Sequence, residues 1–177
     1  DMLLNIAARS GWHAVGYRLA TIQAYILQPF SRGHVRLASA DPGIPPNIDL
    51  NLTGDTRDVE RLKDAFKRVV ALYRGSAISE IALDPFATCY SDRVRKFGRV
   101  TLRNKIAAQT LATLLDLPSA IRKMSIDSLV NDAPSLGALL ADDALLEDHV
   151  NRTATGVWHA AGTCRMGSTD DPKVVTD

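Results

Sequence analysis

Cysteine is nearly missing from this chain: Cys89 and Cys164 are the only two in 177 residues. Two cysteines cannot build a disulfide framework, and no C-x-x-C pair occurs, so a dithiol redox motif is excluded. The four histidines, His13, His34, His149 and His159, lie far apart with no H-E-x-x-H and no paired metal spacing, so no structural zinc site is expected. A reducing, cytoplasmic setting is the expectation drawn from the cysteines. Charge of either sign is not in excess, because the net charge is +1, and neither nucleic acid nor an acidic membrane surface is indicated as a partner. No apolar run approaches the ~18 residues of a membrane span. The opening "DMLLNIAARSGWHAVGYRLA" lacks a basic lead-in followed by an apolar core, so it does not read as a secretory signal. It begins at Asp1 rather than at methionine, which suggests processing or excision from something longer. Nucleotide motifs are missing too. There is no G-x-G-x-x-G and no G-x-x-x-x-G-K-S/T: Gly11 and Gly16 have the interval for the second, but Tyr17 and Arg18 stand where its lysine and hydroxyl residue belong. No G-x-S-x-G nucleophile elbow is present either.

What is present is the composition of a globular domain with a proper core, 46% hydrophobic and 23% charged. Residues 21–40 read as two strands, with Ile22, Ala24 and Ile26 alternating in the first and Val35 and Leu37 in the second, joined by a "PFSRG" turn. "DPGIPP" is a loop, and "NIDLNL" (47–52) reads as a third strand. From Gly54 the period changes: Val59, Leu62, Phe66, Val69, Val70 and Tyr73 follow helical spacing. Asp55 or Thr56 can cap that helix, Asp58 and Glu60 suit its N-terminal dipole, and Gly75 suits its end. "EIALDPF" reads as a further short strand. "NKIAAQTLATLLDLP" and "PSAIRKMSIDSLVND" read as helices broken at Pro118. "DDALLEDHVNRTAT" is another, capped by Asp142 or Asp143, with Leu145, Leu146 and Val150 as its apolar stripe. Strands first and helices after indicate an α+β fold, an antiparallel β-sheet with helices packed on one face.

The basic run "DRVRKFGRVTLRNK" (92–105) has only Phe97 as an aromatic, so it reads as a solvated loop or edge strand rather than a polyanion site. His13 and His149 sit in helical context as surface or partly packed residues, and His34 takes no role. The densest chemistry lies in "WHAAGTCRMG", Trp158 to Gly167. Glycines before and within it permit close backbone approach, and His159, followed by Ala160 and Ala161, carries the natural base near neutral pH. Spacing alone leaves two readings open, a ligand-facing site or a strand end with a buried histidine and an inert Cys164. Cys164 and His159 as a thiol nucleophile and its base, with Arg165 lowering the thiol pKa, lack any identifiable orienting residue.

"WHAAGTCRMG" closely resembles the C-terminal histidine motif of the glucose–methanol–choline (GMC) flavoprotein oxidoreductases. "SRGHVRLASADPGIPPNIDLNL", Ser31 to Leu52, is similar to the other hallmark of that family's substrate domain, and "DPKVVTD" to the segment after the histidine. The order is kept, and the likeness covers roughly residues 20–177. The resemblance implies a single substrate-binding domain over 1–177, with a sheet of about six antiparallel strands backed by helices, and a separate FAD-binding Rossmann-like domain absent from this chain. It implies that His159 is the catalytic residue, as general base taking the hydroxyl proton of an alcohol or as hydrogen-bond partner to the substrate oxygen, while the carbon gives a hydride to flavin N5. Trp158 would lie near the isoalloxazine ring as a cofactor-binding residue. Beside a base, its face would also suit a quaternary ammonium such as choline, with packing as its other use. The second catalytic residue of the family would lie beyond Asp177. This chain alone is expected neither to hold FAD nor to turn over an alcohol, and to show an apolar face through which it can self-associate. A lyase that binds FAD without redox use, or a non-catalytic binding domain, are the alternatives.

Overall fold

The computed structural model describes residues 13–87, 96, 99, 101–129, 131, 133–156, 166–171 and 174. In chain order the elements are α1 (His13–Gly16), β1 (His34–Arg36), β2 (Asn47–Asp49), α2 (Thr56–Arg74), α3 (Ser76–Ser79), α4 (Leu102–Leu115), α5 (Ser119–Leu129), α6 (Leu136–Ala141) and α7 (Asp143–Thr153). Helices and a small antiparallel sheet are compatible with the α+β expectation. The expected sheet of about six strands is not supported: among the described residues β1 and β2 form one two-stranded sheet, with Val35 opposite Ile48.

Two expected strands need correction. Residues 21–27 alternate as a strand should, yet have no ladder partner among the described residues, and Ile22, Tyr25 and Leu27 stay exposed. Alternation makes a strand only where a second strand takes up the backbone hydrogen bonds. The hairpin is therefore built one step later, across "DPGIPP" rather than across "PFSRG", with the Gly43 N–H donating to Asp41 Oδ1 (2.9 Å) in the connecting loop. "EIALDPF" is also not a strand. Asp84 adopts φ 52°, and its carboxylate accepts from Ser119 Oγ (2.7 Å) and Arg122 Nε (2.6 Å), pinning this connection to the first turn of α5.

The helices match their sequence signals closely. Asp55, not Thr56, caps α2 by accepting from the Arg57 N–H. The Arg57 guanidinium closes on the same carboxylate and, with that N–H, holds its pKa down at about 2. Gly75 ends α2 in an extended conformation rather than a left-handed one. Asp142 caps α7, accepting from the Ala144 and Leu145 N–H groups. The short helices α3 and α6 carry too few turns for a period to show in the sequence.

Two apolar clusters hold these elements. Ala14, Val15, Ala108, Leu111, Ala112, Leu115 and Ile126 join α1, α4 and α5. Arg18 reinforces this group with a two-pronged ion pair to Asp116 at the end of α4 (2.7 and 2.6 Å). Val59, Ala87, Leu139, Leu146 and Val150 join α2, α6 and α7, with Leu62 and Phe66 packed against them. Phe86 packs on the first cluster and its neighbour Ala87 belongs to the second, so one loop stitches both. His149, expected as a surface or partly packed residue, is buried in α7 with its ring edge-on to Phe66, centroids 6.1 Å apart. Burial and the nearby Arg152 push its pKa below the ordinary histidine value, against the opposing pull of Asp148.

Leu146 is fully buried, so Leu146→Ala should cost about 2–5 kcal/mol through lost transfer energy and the cavity left behind. Leu72→Ala, on the exposed side of α2, should stay within about 0.5 kcal/mol. Urea unfolding of both variants checks the contrast.

Candidate functional site

His159 and Trp158, the expected base and cofactor neighbour, lie outside the described residues, as do Cys164, Arg165, Cys89 and Phe97. What can be built is the approach to the histidine stretch and the other hallmark, residues 31–52. The approach is α7, whose last turn ends at Thr153. The Ala154 N–H still donates to the Val150 carbonyl (2.9 Å), and residues 154–156 carry the chain onward. On the far side the chain is described again from Met166. There a turn brings the Asp171 N–H to the Ser168 carbonyl, and Gly167 lies so near Val174 that a Cβ would crowd it, 2.9 Å from Cγ2.

The Ser31–Leu52 hallmark is a lock between a loop, the hairpin and the start of α2. Asp58, in the first turn of α2, is fully buried and accepts the Ser31 N–H at 2.7 Å. The Ser31 hydroxyl accepts in turn from the Asp55 N–H at 3.1 Å. Burial pushes the Asp58 carboxyl up, but the Ser31 N–H and hydroxyl, the Phe30 N–H and Arg61 outweigh it and hold the pKa below the ordinary aspartate value. Gly33 is required by contact rather than by dihedral angle, since a Cβ there would run into the Asp49 carbonyl and the Leu50 backbone. Asn51, at φ 43°, donates from Nδ2 to the Arg32 carbonyl (2.9 Å) and closes the hairpin against the loop. Arg57 stacks over Phe30 at 3.8 Å from its centroid, and Arg61 donates to the Gln28 carbonyl (2.9 Å). Serine, arginine and glycine at 31–33 therefore serve chain packing here.

Sequence reasoning read Asp58 only as a charge favourable to the α2 dipole. Its partner is 27 residues away, and nothing local announces that pairing. Lys63 was also missed, although a signal existed. It lies four residues after Val59 and seven before Val70, on the buried stripe of α2, where a lysine needs a carboxylate.

Three loop glycines have their N–H groups engaged within the chain, Gly43 by Asp41, Gly54 by the Asn51 carbonyl and Gly75 by the Leu72 carbonyl. Among the described residues no group of three His, Cys, Asp or Glu side chains could hold a metal, and no helix is long and apolar enough to cross a membrane.

The GMC oxidoreductase family model matches residues 29–177, a span that takes in both hallmarks. The chain belongs to the GMC oxidoreductase family. GMC oxidoreductases are generally FAD-dependent. The chain is similar to 5-(hydroxymethyl)furfural oxidase of Methylovorus sp. strain MP688, 28% identical over 90% of this chain and 23% of that protein. Patulin synthase of Aspergillus clavatus is 28% identical over 92% of this chain and 18% of that protein. Alcohol oxidase 1 of Komagataella phaffii is 25% identical over 88% and 26%. The chain thus spans about a quarter or less of the length of these curated relatives. None of the three is a choline enzyme by name, so the choline-type expectation gains no support from them. No solved structure matches the chain.

The Asp58 lock sets a pH dependence. A carboxyl whose folded pKa is depressed contributes stability above its unfolded value of 3.8 and loses it as pH falls through the folded value. Wild-type stability should therefore fall as pH drops below about 3.8, and Asp58→Asn should be less stable at neutral pH with a flatter acid limb. Urea midpoints measured from pH 7 down into this range read both effects.

Proposed function

We propose that this chain is the substrate-binding domain of an FAD-dependent enzyme that oxidises an alcohol, with His159 as the base and Trp158 beside the cofactor ring. The observation that carries this reading is the single family match running from residue 29 to 177, which holds the Ser31–Leu52 hallmark and the "WHAAGTCRMG" motif in order. Relatives named as an alcohol oxidase and a 5-(hydroxymethyl)furfural oxidase favour a hydroxyl-bearing substrate.

In this reading the chain's own contribution is proton handling. A neutral imidazole within hydrogen-bond reach of the hydroxyl accepts its proton as the adjacent carbon is oxidised, and so lowers the cost of alkoxide character in the transition state. The electron sink is the cofactor's chemistry, not that of this chain. In this reading FAD is held elsewhere, an expectation supported by the lack of a G-x-G-x-x-G loop in this sequence. Val35, Leu37, Ile44, Ile48, Leu50 and Leu52 all remain exposed along the hairpin hallmark. A surface of this kind suits cover by the cofactor-binding domain, and is the face through which the isolated chain would self-associate.

In the intact protein, His159→Ala should slow anaerobic flavin reduction by alcohol about 10²–10⁴-fold while leaving the flavin bound, with part of the rate recovered as pH rises. An unchanged rate in stopped-flow traces removes His159 from the chemistry. Residues 1–177 expressed alone should purify colourless and inactive; yellow protein with alcohol-bleachable flavin contradicts the proposed division of labour.

A further inference from the structure

The seam between α2 and α7 contains a charge that hydrophobic packing does not explain. Lys63 lies on the buried stripe of α2, only 2% exposed. Its ammonium has three protons, and three carboxylates receive them: Glu60 Oε1 at 2.8 Å, Asp143 Oδ2 at 2.5 Å and Glu147 Oε2 at 3.5 Å. Asp143 and Glu147 stand one turn apart at the start of α7. Asp143 also accepts from Lys67 Nζ at 2.9 Å. Its hydrogen bonds to the Asp143 and Glu60 carboxylates outweigh the desolvation of the ammonium and raise its pKa, so it stays charged throughout the physiological range.

Apolar residues already join the two helices, since Val59, Leu146 and Val150 share one cluster with Leu62 and Phe66 packed on it. Such a stripe is permissive about register, because side chains recur every turn and a shift of one turn, about 5.4 Å, brings similar groups into contact. A buried cation with dedicated acceptors is not permissive. A slip that carries Asp143 and Glu147 away leaves the ammonium with Glu60 of its own helix as the one acceptor named here, and the best-attested use of a buried charge is this choice of register. α7 runs into residues 154–156 and, three residues later, to His159.

We infer that Lys63 is a positioning residue, which locks α7 against α2 in one register and so fixes where residues 154–156 lead the chain toward His159. The consequence for catalysis rests on the reading of His159 as the base, while the effect on α7 does not. A displacement near 1 Å at a reacting group can cost 10²-fold in rate, well below the size of a one-turn slip.

The test uses Lys63→Met, which keeps length and apolar bulk, and Asp143→Asn, which removes an acceptor charge from a half-exposed site, both in the intact protein. Hydrogen exchange followed by mass spectrometry should show residues 143–156 exchanging faster by roughly an order of magnitude, the effect of about 1.4 kcal/mol, with residues 102–115 unchanged. Alcohol turnover should fall on the order of 10²-fold in kcat, with KM little changed. Unchanged exchange at 143–156 in both variants overturns the inference, and so does equal acceleration at 143–156 and 102–115, which reduces Lys63 to general stability. If Lys63→Met does not fold, Asp143→Asn decides alone. If exchange rises locally while His159→Ala leaves turnover intact, the register role stands and the reading of His159 falls.

Discussion

The hydrogen bond from the Ser31 N–H to the buried Asp58 carboxylate is the contact on which the first half of the described structure depends. It fastens the loop before β1 to the first turn of α2, and the Ser31 hydroxyl adds a second tie by accepting from the Asp55 N–H. Once these are in place, Gly33 can lie against the Asp49 carbonyl and Asn51 can reach the Arg32 carbonyl, so the hairpin is clamped at its base. A buried carboxylate tolerates this setting because several donors compensate its desolvation.

The same helix organises the C-terminal elements. Along its buried side α2 offers Asp58 to the hairpin, Val59, Leu62 and Phe66 to α7, and Lys63 to the carboxylates of Asp143 and Glu147. Apolar area gives the seam most of its stabilisation and charge gives it selectivity, a division expected when charges are costly to bury and costlier to leave unpaired. The other cluster, around α1, α4 and α5, has only aliphatic residues at its buried centre and is tied in through Phe86 and Ala87.

The hairpin itself is clamped at one end and otherwise uncovered. Val35 faces Ile48 across the ladder, yet both are about half exposed, and two strands without a third element on their face bury too little to stand alone. Its order comes from the Ser31–Asp58 lock and the Asn51 bridge, not from a core of its own. That explains why the hallmark residues of this segment are polar or glycine where the chain turns, and apolar where the surface is open.

Helices α2, α4, α5 and α7 were legible because their information is local: apolar spacing, Asp55 and Asp142 at the caps, and Pro118 between α4 and α5 all act within a turn or two. Family membership was legible for the same reason, as contiguous motifs around Ser31–Gly33 and Trp158–Gly167. The sheet was not, because residues 21–27 have strand-like alternation and a ladder needs a partner that no single segment encodes. Nor were the roles of Asp58 and Lys63, whose partners lie 27 and 80 residues away. The sequence by itself determined the helices, their ends and the family. Tertiary structure alone decided which strands pair and which buried charges meet, because those depend on distances across the fold that local spacing does not contain.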